Sequence, residues 1–185
     1  VALYNCERYI AECLGSLRTQ SFDDFEAIVV DDCSTDDGLR VAKAAVTDDE
    51  RFRFLSTPAN SGQGTARNVA LEAARGRIVV LLDADDLLVP HALEHIAERF
   101  TEQQLDDLYF NAESFYEDAE AYNRVVEDFS GRDSFDGVAT GMELFTFFED
   151  RGQFFPHGAL RAVSRSLIED NAVRFPEGII HEDLL

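Results

Sequence analysis

The strongest candidate for chemistry is a group of carboxylates that follows an apolar run at residues 78–82. Asp83, Asp85 and Asp86 lie almost side by side in the chain. A turn after an apolar strand would bring the side chains of Asp83 and Asp85 to one site. Their hard oxygen atoms favour Mg²⁺ or Mn²⁺, and Mg²⁺ usually takes one or two carboxylates together with water and substrate phosphate. The alternative is that Asp85 or Asp86 caps the helix that follows, with Asp86 favoured for that role.

A second acidic pair, Asp31 and Asp32, follows the apolar run at residues 25–30. Acidic residues at such strand ends accept hydrogen bonds from a base N–H or a ribose hydroxyl in nucleotide-binding folds. The competing interpretation is an Asx-type turn through residues 33–36, which needs no ligand.

Other polar residues are candidates with structural alternatives of their own. The loop at residues 60–64, which includes Gly62, precedes a predicted helix and could present backbone N–H groups to an anion. Arg67, one turn into that helix, could hold a ligand or pair with one of the aspartates. Near the end of the chain, Glu182 and Asp183 could supply a general base, or could simply begin a surface helix.

The elements that must position these residues alternate between helix and strand over the first 110 residues. This order predicts a parallel sheet with helices on both faces, an α/β fold. Helices are predicted at about residues 7–20, 37–46 (capped by Thr35 or Asp36), 65–75 (closed by Gly76), 90–100 (begun by Pro90), 141–150 and 166–171. Strands are predicted at 25–30, 51–56, 78–82, 108–111 and 160–164, with 25–30 and 78–82 buried on both faces.

Ligands of parallel sheets bind beyond the carboxyl ends of the strands. The polar groups Tyr4-Asn5, Asp31-Asp32 and Asp83-Ala84-Asp85 each follow such an end. We therefore expect them to share one rim of the sheet. Their convergence carries more weight than any one of them.

Composition limits the function classes. Apolar residues make up 45% of the chain, which is typical of a globular domain, and the formal net charge is -21. Nucleic acid and anionic membranes are therefore poor partners for this chain, and a phosphate-bearing substrate would be repelled unless a cation bridged it to the protein. His91 and His95, one turn apart, fit a solvated helix face better than a metal site.

The three cysteines, Cys6, Cys13 and Cys33, lack paired metal-ligand spacing, and we expect buried thiols of a cytosolic protein. No apolar run is long enough to span a membrane. The chain begins at Val1 without methionine and stops soon after Asp183, so we expect a piece of a longer protein.

Six motifs follow one another along the chain: Tyr4-Asn5, Gln20-Ser21-Phe22-Asp23-Asp24-Phe25-Glu26, Val30-Asp31-Asp32-Cys33-Ser34-Thr35-Asp36, Asn60-Ser61-Gly62 with Ala66-Arg67-Asn68, Leu82-Asp83-Ala84-Asp85-Asp86 and His181-Glu182-Asp183-Leu184. In this order they resemble the motifs of family 2 glycosyltransferases of the GT-A fold. Each motif is weak alone, and their order is specific. The resemblance implies a Rossmann-like sandwich with a central, mostly parallel sheet.

The resemblance also implies an activity, that of a bacterial hexosyltransferase. Such an enzyme transfers a sugar from a nucleotide-diphosphate-sugar donor with inversion at the anomeric carbon, and it depends on Mg²⁺ or Mn²⁺. Tyr4 would border the base and Asp32 would hydrogen-bond to it. Arg67 would help to hold the nucleotide, while Asp83 would lie near the ribose and the metal. The ligand of the metal would be Asp85. Asp183 would deprotonate the acceptor hydroxyl, with Glu182 the second candidate.

The resemblance covers nearly the whole chain, and we expect a single catalytic domain over 1–185. Residues 1–111 would form the nucleotide-binding half and 112–185 the acceptor side. Most of the first strand and the later helices would lie outside the chain. Cys33 stands where the family more often has glycine, and Ala2-Leu3 precede Tyr4 where a proline is usual.

The family setting implies a UDP-sugar donor and a saccharide or lipid-linked acceptor in cell-surface polysaccharide or glycolipid synthesis. It also implies a cytoplasmic location at the inner face of the membrane, where membrane contact would come from other parts of the parent chain. The alternatives are a nucleotide-sugar-binding module without turnover and a phosphatase of the haloacid dehalogenase type. A receiver domain is excluded because Lys43, the single lysine, precedes Asp83.

Overall fold

Six strands form two three-stranded sheets in the part of the chain that the structure, a computed structural model, describes: residues 1–114, 133, 135, 137–154 and 158–178. The strands are β1 (Ala2–Leu3), β2 (Ala27–Asp31), β3 (Phe52–Ser56), β4 (Ile78–Val80), β5 (Asp107–Tyr109) and β6 (Arg161–Ser164). The first sheet has the order β1-β2-β3 and is parallel, and the second has the order β4-β6-β5 with β6 antiparallel to both neighbours.

One parallel bridge, between Ala2 and Asp83, joins the two sheets. It sets the end of β4 beside β1, so the combined order is β3-β2-β1-β4-β6-β5 and only β6 runs in the reverse direction. The prediction of a mostly parallel central sheet is confirmed. The antiparallel β6 comes from the part of the chain where the helix–strand alternation has weakened.

Helices α1 (Ile10–Arg18) and α2 (Gly38–Ala45) pack on one face of the first sheet, and α3 (Gln63–Ala73) packs on the other. The remaining helices are α4 (Ala92–Gln103), α5 (Gly141–Glu149) and α6 (Arg165–Asp170), with a 3₁₀ turn at Gly158–Leu160. All five residues of β2 are buried. Val29 packs in the cluster that holds α1 and α2, whereas Ile28 and Val30 pack with Ala66 of α3 on the other face. Alternation along a strand thus supplies two cores from one apolar run.

Two predicted helix boundaries are wrong. Gly76 is not the C-cap of α3, which ends at Ala73 because Ala74 already has an extended backbone. Helix α4 begins at Ala92 rather than at Pro90, and its N-cap position is His91. Asp86 therefore does not cap it. Instead, the backbone N–H of Asp86 donates to the carbonyl of Asp83 at 3.1 Å and closes a turn.

The second predicted buried strand is shorter and less buried than expected. Residues 78–80 form β4 and are only half-buried. A cavity of about 830 Å³ explains this, since it lies along β4 and the start of β2. The residues that line it include none of the rim aspartates. This cavity is therefore separate from the candidate site.

Some predictions fall on residues outside the described part of the chain: those for Glu182 and Asp183 and for most of the stretch 113–136. In the described part, none of the helices is long and apolar enough to cross a membrane.

Candidate functional site

The carboxyl ends of three strands meet at one rim. Leu3 of β1 pairs in register with Asp31 of β2, and Ala2 is bridged to Asp83 after β4. Tyr4 follows Leu3 directly and is 45% exposed. The predicted convergence of the three polar groups is therefore observed at the level of the backbone.

Asn5 holds the loop that follows β2. It has a left-handed backbone with φ of 51°, a conformation that asparagine tolerates better than most residues. Its side-chain oxygen accepts hydrogen bonds from the backbone N–H of Thr35 at 2.8 Å and from the Thr35 hydroxyl at 3.2 Å. Its own N–H donates to the Ser34 hydroxyl. Asn5 thus links the ends of two neighbouring strands.

Asp31 stabilises the loop that follows β2, as in the Asx-type turn that was the alternative to a nucleotide-binding role for Asp31 and Asp32. Its Oδ1 atom accepts the backbone N–H of Ser34 at 3.2 Å. Within this turn Cys33 has φ of 59°, a conformation that costs a residue with a Cβ atom about 1–2 kcal/mol and costs glycine nothing. This geometry explains why glycine suits the position.

Asp32 is the most enclosed carboxylate of the rim, with only 3% of its surface exposed. Its oxygens accept the Thr57 hydroxyl at 2.6 Å and the backbone N–H groups of Ser61 and Gly62 at 3.0 and 2.7 Å. The loop that could present N–H groups to an anion therefore presents them to a carboxylate of the protein itself. Gly62 has φ of +90°, which favours glycine at this contact.

Asp83 is paired with two side chains from α3. Its Oδ1 atom accepts hydrogen bonds from Arg67 and from Gln63, each at 2.8 Å. The Arg67 side chain is 4% exposed, whereas that of Asp83 is 20% exposed. Of the two interpretations of Arg67, the internal ion pair is the one observed here. A buried arginine needs such a partner because an isolated buried charge is costly.

Asp85 is exposed at the turn, and Ala84 before it is buried. Across the described residues, no group of three or more His, Cys, Asp or Glu side chains is arranged to hold a metal ion. Mg²⁺ and Mn²⁺ do not require such a group, since one or two carboxylates can be joined by water and phosphate oxygens. The oxygen donors of Asp83 and Asp85 fit that kind of site.

A segment distant in sequence also reaches this region. Asn68, the neighbour of Arg67, hydrogen-bonds to both backbone polar groups of Phe175. Sequence reasoning assigned no role to Asn68, Gln63 or Phe175. Asn68 belongs to the motif Ala66-Arg67-Asn68, whereas no local sequence pattern marks Phe175 as part of the site.

Two of the three cysteines, Cys6 and Cys13, have thiols whose pKa is raised. Burial raises the pKa of the Cys13 thiol to about 12, and its Sγ donates to the carbonyl of Asp83. Burial also raises the pKa of Cys6, and the negative charge of Asp85 adds to that effect. The expectation of three buried thiols is wrong for Cys6 and Cys33, which are half-buried because they lie near the rim. All three are free thiols.

His91 and His95 are exposed at the start of α4, in agreement with the predicted solvated helix face. The His91 ring nitrogen Nδ1 lies 3.0 Å from the Ser21 hydroxyl and 3.3 Å from a Glu94 oxygen. These are ordinary surface hydrogen bonds.

Comparison with known proteins places this rim in a family. The sequence profile described as "Glycosyl transferase family 2" matches residues 1–171. The chain is 30% identical over 186 residues to the uncharacterized glycosyltransferase YibD of Escherichia coli K12. The alignment covers 100% of this chain and 53% of that relative. It is 41% identical over 101 residues to the teichoic acid poly(glycerol phosphate) polymerase of Staphylococcus epidermidis, covering 54% of this chain and 14% of that protein.

Among solved structures, S. aureus TarS 1-349 in complex with UDP-GlcNAc superimposes with a TM-score of 0.77 at 30% identity. The match covers 100% of this chain and 50% of that one. The chain thus spans about half the length, or less, of these relatives. The GT-A expectation for the fold is confirmed, and the chain belongs to glycosyl transferase family 2.

Proposed function

We propose that this chain is part of the catalytic domain of an inverting glycosyltransferase that uses a nucleotide-diphosphate-sugar donor. The observation that carries the proposal is the joining of three strand ends, through the Leu3–Asp31 pair and the Ala2–Asp83 bridge, beside the buried Arg67. This arrangement combines an exposed aromatic ring, oxygen ligands for a cation and a cationic side chain on one rim. These are the groups that a base, a metal and a diphosphate require.

The base would lie against Tyr4, whose ring is open to solvent at the end of β1. Asn5 and Asp31 shape the adjoining loop through their hydrogen bonds to residues 34 and 35. The direct bond from Asp32 to the base stays a prediction. In the present conformation both oxygens of Asp32 already accept hydrogen bonds from the loop that includes Gly62, so the base would compete with these bonds.

Asp85, together with Asp83, would hold the Mg²⁺ or Mn²⁺ ion. Such an ion offsets the charge that grows on the diphosphate as the sugar leaves. For a protein with a formal charge of -21, this neutralisation is also what makes binding of an anionic donor favourable. Arg67, next to Asp83, adds a fixed positive charge for the nucleotide.

Asp183 would act as the base, with Glu182 as the second candidate. The carboxylate takes the proton of the acceptor hydroxyl while the hydroxyl oxygen attacks the anomeric carbon and the bond to the diphosphate breaks. A single in-line displacement of this kind inverts the anomeric configuration. In the sequence, Asp183 follows Phe175, which is docked beside Arg67, by only a few residues.

The donor and the acceptor are proposed from the relatives. The TarS structure contains UDP-GlcNAc, which supports a UDP-sugar here. Names of relatives such as teichoic acid poly(glycerol phosphate) polymerase and chondroitin synthase support a saccharide or lipid-linked acceptor in a cell-surface polymer. We accordingly place the reaction in the cytoplasm at the inner face of the membrane, with any membrane contact made by other parts of the parent protein.

The donor and the metal are tested together by calorimetry on the full-length protein. UDP-, GDP- and dTDP-sugars are titrated with Mn²⁺, with Mg²⁺ and with EDTA. We expect a UDP-sugar to bind only with the cation, and Asp85→Ala to weaken binding strongly. Asp48→Ala, which removes an exposed aspartate after α2, is the matched control. Binding that survives EDTA or is unaffected by Asp85→Ala would contradict the metal assignment.

Turnover is tested separately with Asp183→Asn and Glu182→Gln. Asp183→Asn should abolish sugar transfer and leave donor affinity unchanged, because the carboxylate acts on the acceptor. Asp170→Asn, an equal change of charge at the end of α6, should transfer normally. Retained turnover in Asp183→Asn would move the base elsewhere. A wild-type protein that binds donor but never transfers or hydrolyses it would favour the binding-module alternative.

A further inference from the structure

Asn68 of α3 makes two hydrogen bonds to the backbone of one residue that is 107 positions away. Its side-chain nitrogen donates to the Phe175 carbonyl at 2.8 Å, and its Oδ1 atom accepts the Phe175 N–H at 2.9 Å. Asn68 is only 8% exposed. Both hydrogen-bonding groups of the amide are thus used, and the backbone at Phe175 is fixed against α3 in one orientation.

The side chain of Phe175 contacts Arg67, the residue that precedes Asn68 in α3. Its ring centroid lies 5.2 Å from the guanidinium carbon of Arg67, within the range of a cation–π contact. The same guanidinium donates to Asp83 at 2.8 Å and is almost fully buried. Phe175 and Asp83 therefore both contact the guanidinium of Arg67. We call the group Arg67, Asn68 and Phe175 the clasp.

We propose that Asn68 is a positioning residue for nucleotide-diphosphate binding: it fixes Phe175, and the Phe175 ring holds the Arg67 guanidinium at the rim beside Asp83. The inference rests on the proposed function, because the nucleotide is the ligand that Arg67 would serve. Arginine has a long side chain with high rotamer entropy, and a charged group binds a diphosphate best when it is held in place before the ligand arrives. Asn68 itself does not contact the ligand.

The test is the affinity of the full-length protein for UDP in the presence of Mn²⁺, measured by titration well below the unfolding temperature. Asn68→Ala should raise the dissociation constant about tenfold, a size typical of coupling between linked sites. Asn171→Ala is the control. It removes an asparagine whose side chain bonds only locally, to the Leu167 carbonyl at the end of α6. Its affinity should equal that of the wild type.

A purely structural role for Asn68 is separated from positioning by a double-mutant cycle. If Asn68 acts through Arg67, then Asn68→Ala should change the affinity less than about twofold once Arg67→Ala is present, because coupled residues are not additive. Independent, additive losses would overturn the proposal. Phe175→Leu keeps the backbone hydrogen bonds to Asn68 and removes the ring, so it should also weaken UDP binding. If Asn68→Ala does not fold, the UDP affinity of Phe175→Leu tests the proposal instead.

The possible failures are distinguishable. A wild-type protein that binds no nucleotide diphosphate with any cation contradicts the proposed function itself. A wild type that binds UDP while Asn68→Ala and Phe175→Leu bind it equally well contradicts only the clasp.

Discussion

At the scale of single residues, acidic side chains of this chain have two different tasks, a structural one that is observed and a metal-binding one that is proposed. Asp32 and Glu26 accept hydrogen bonds from backbone N–H groups of neighbouring loops. Asp85 faces solvent, and the task proposed for it is to bind a cation. Residue type alone does not separate these tasks, because a carboxylate that stabilises a loop and one that binds a metal look the same in a sequence.

Glu26 provides a test of the structural task. One of its oxygens accepts the N–H groups of Arg75 and Gly76 after α3, and the other accepts Arg53 at 2.7 Å. Burial would raise its pKa, but these hydrogen bonds and the charge of Arg53 outweigh burial and hold the pKa below its usual value. The ionised form therefore stabilises the fold above the unfolded-state pKa of about 4.3, and this contribution is lost as the pH falls through the folded-state pKa.

We expect Glu26→Gln to lower the free energy of unfolding by about 1.5 kcal/mol at pH 7, since hydrogen bonds to a charged acceptor are stronger than neutral ones. The difference from wild type should shrink in acid, as the pH falls through the lowered folded-state pKa of Glu26 and its carboxylate becomes protonated. Urea unfolding at pH 7 and across the acidic range measures it. Glu72→Gln, at an exposed position of α3, should change little. A cost that is independent of pH would show that the charge of Glu26 is not the cause.

At the scale of elements, the site depends on α1, α2 and α3 packing against both faces of β2. Helix α1 supplies Ile10, Cys13 and Leu14, all fully buried against the sheet. Cys13 also contacts the backbone of Asp83 through its thiol. The helix therefore supports the end of β4, and with it the turn that carries Asp85.

Leu14→Ala is the test of this packing. Removal of a fully buried leucine should lower the free energy of unfolding by about 2–5 kcal/mol, because both transfer energy and a cavity contribute. Leu87→Ala makes the same change at a side chain that is 42% exposed and should cost much less. Denaturant unfolding of the two variants measures the difference. Equal costs would contradict the assignment of the α1 face as core.

At the scale of the whole molecule, the dominant property is the formal net charge of -21. Even when each of the 16 Lys and Arg side chains has an acidic partner, as Arg53 has Glu26 and Arg67 has Asp83, 21 of the 37 carboxylates are left over. Self-repulsion of the remaining carboxylates destabilises the compact state, and dissolved salt screens such repulsion over a Debye length of about 10 Å at 0.1 M.

We therefore expect the melting temperature to rise by about 2–4 °C, equivalent to roughly 1 kcal/mol, between low salt and about 0.15 M NaCl at pH 7.5 with EDTA present. At about pH 5, where part of the carboxylates are protonated, the increase should be smaller. Thermal scans at both pH values measure the effect. A melting temperature that falls or stays constant with salt would show that the ion pairs dominate over the repulsion.

Much of the fold was predictable from local patterns. The apolar runs before Asp31 and Asp83 mark β2 and β4, and the helix–strand alternation predicts a parallel sheet. The rule that ligands bind beyond the carboxyl ends of strands then predicts the shared rim, because parallel strands end on the same side. Errors arose at helix ends: Gly76 has the residue type of a C-cap, but its N–H bonds to the distant Glu26.

The sequence by itself determined which elements form, their order, and the family to which the residues at the strand ends conform. Only the tertiary structure decided which partners those residues take: Arg67 with Asp83, Asp32 with the loop at Ser61 and Gly62, and Asn68 with Phe175. Periodicity along a chain reports which face is buried, and this is a local property. The partner of a buried polar group depends on which distant segments the fold brings within about 3 Å, and no local pattern encodes that distance.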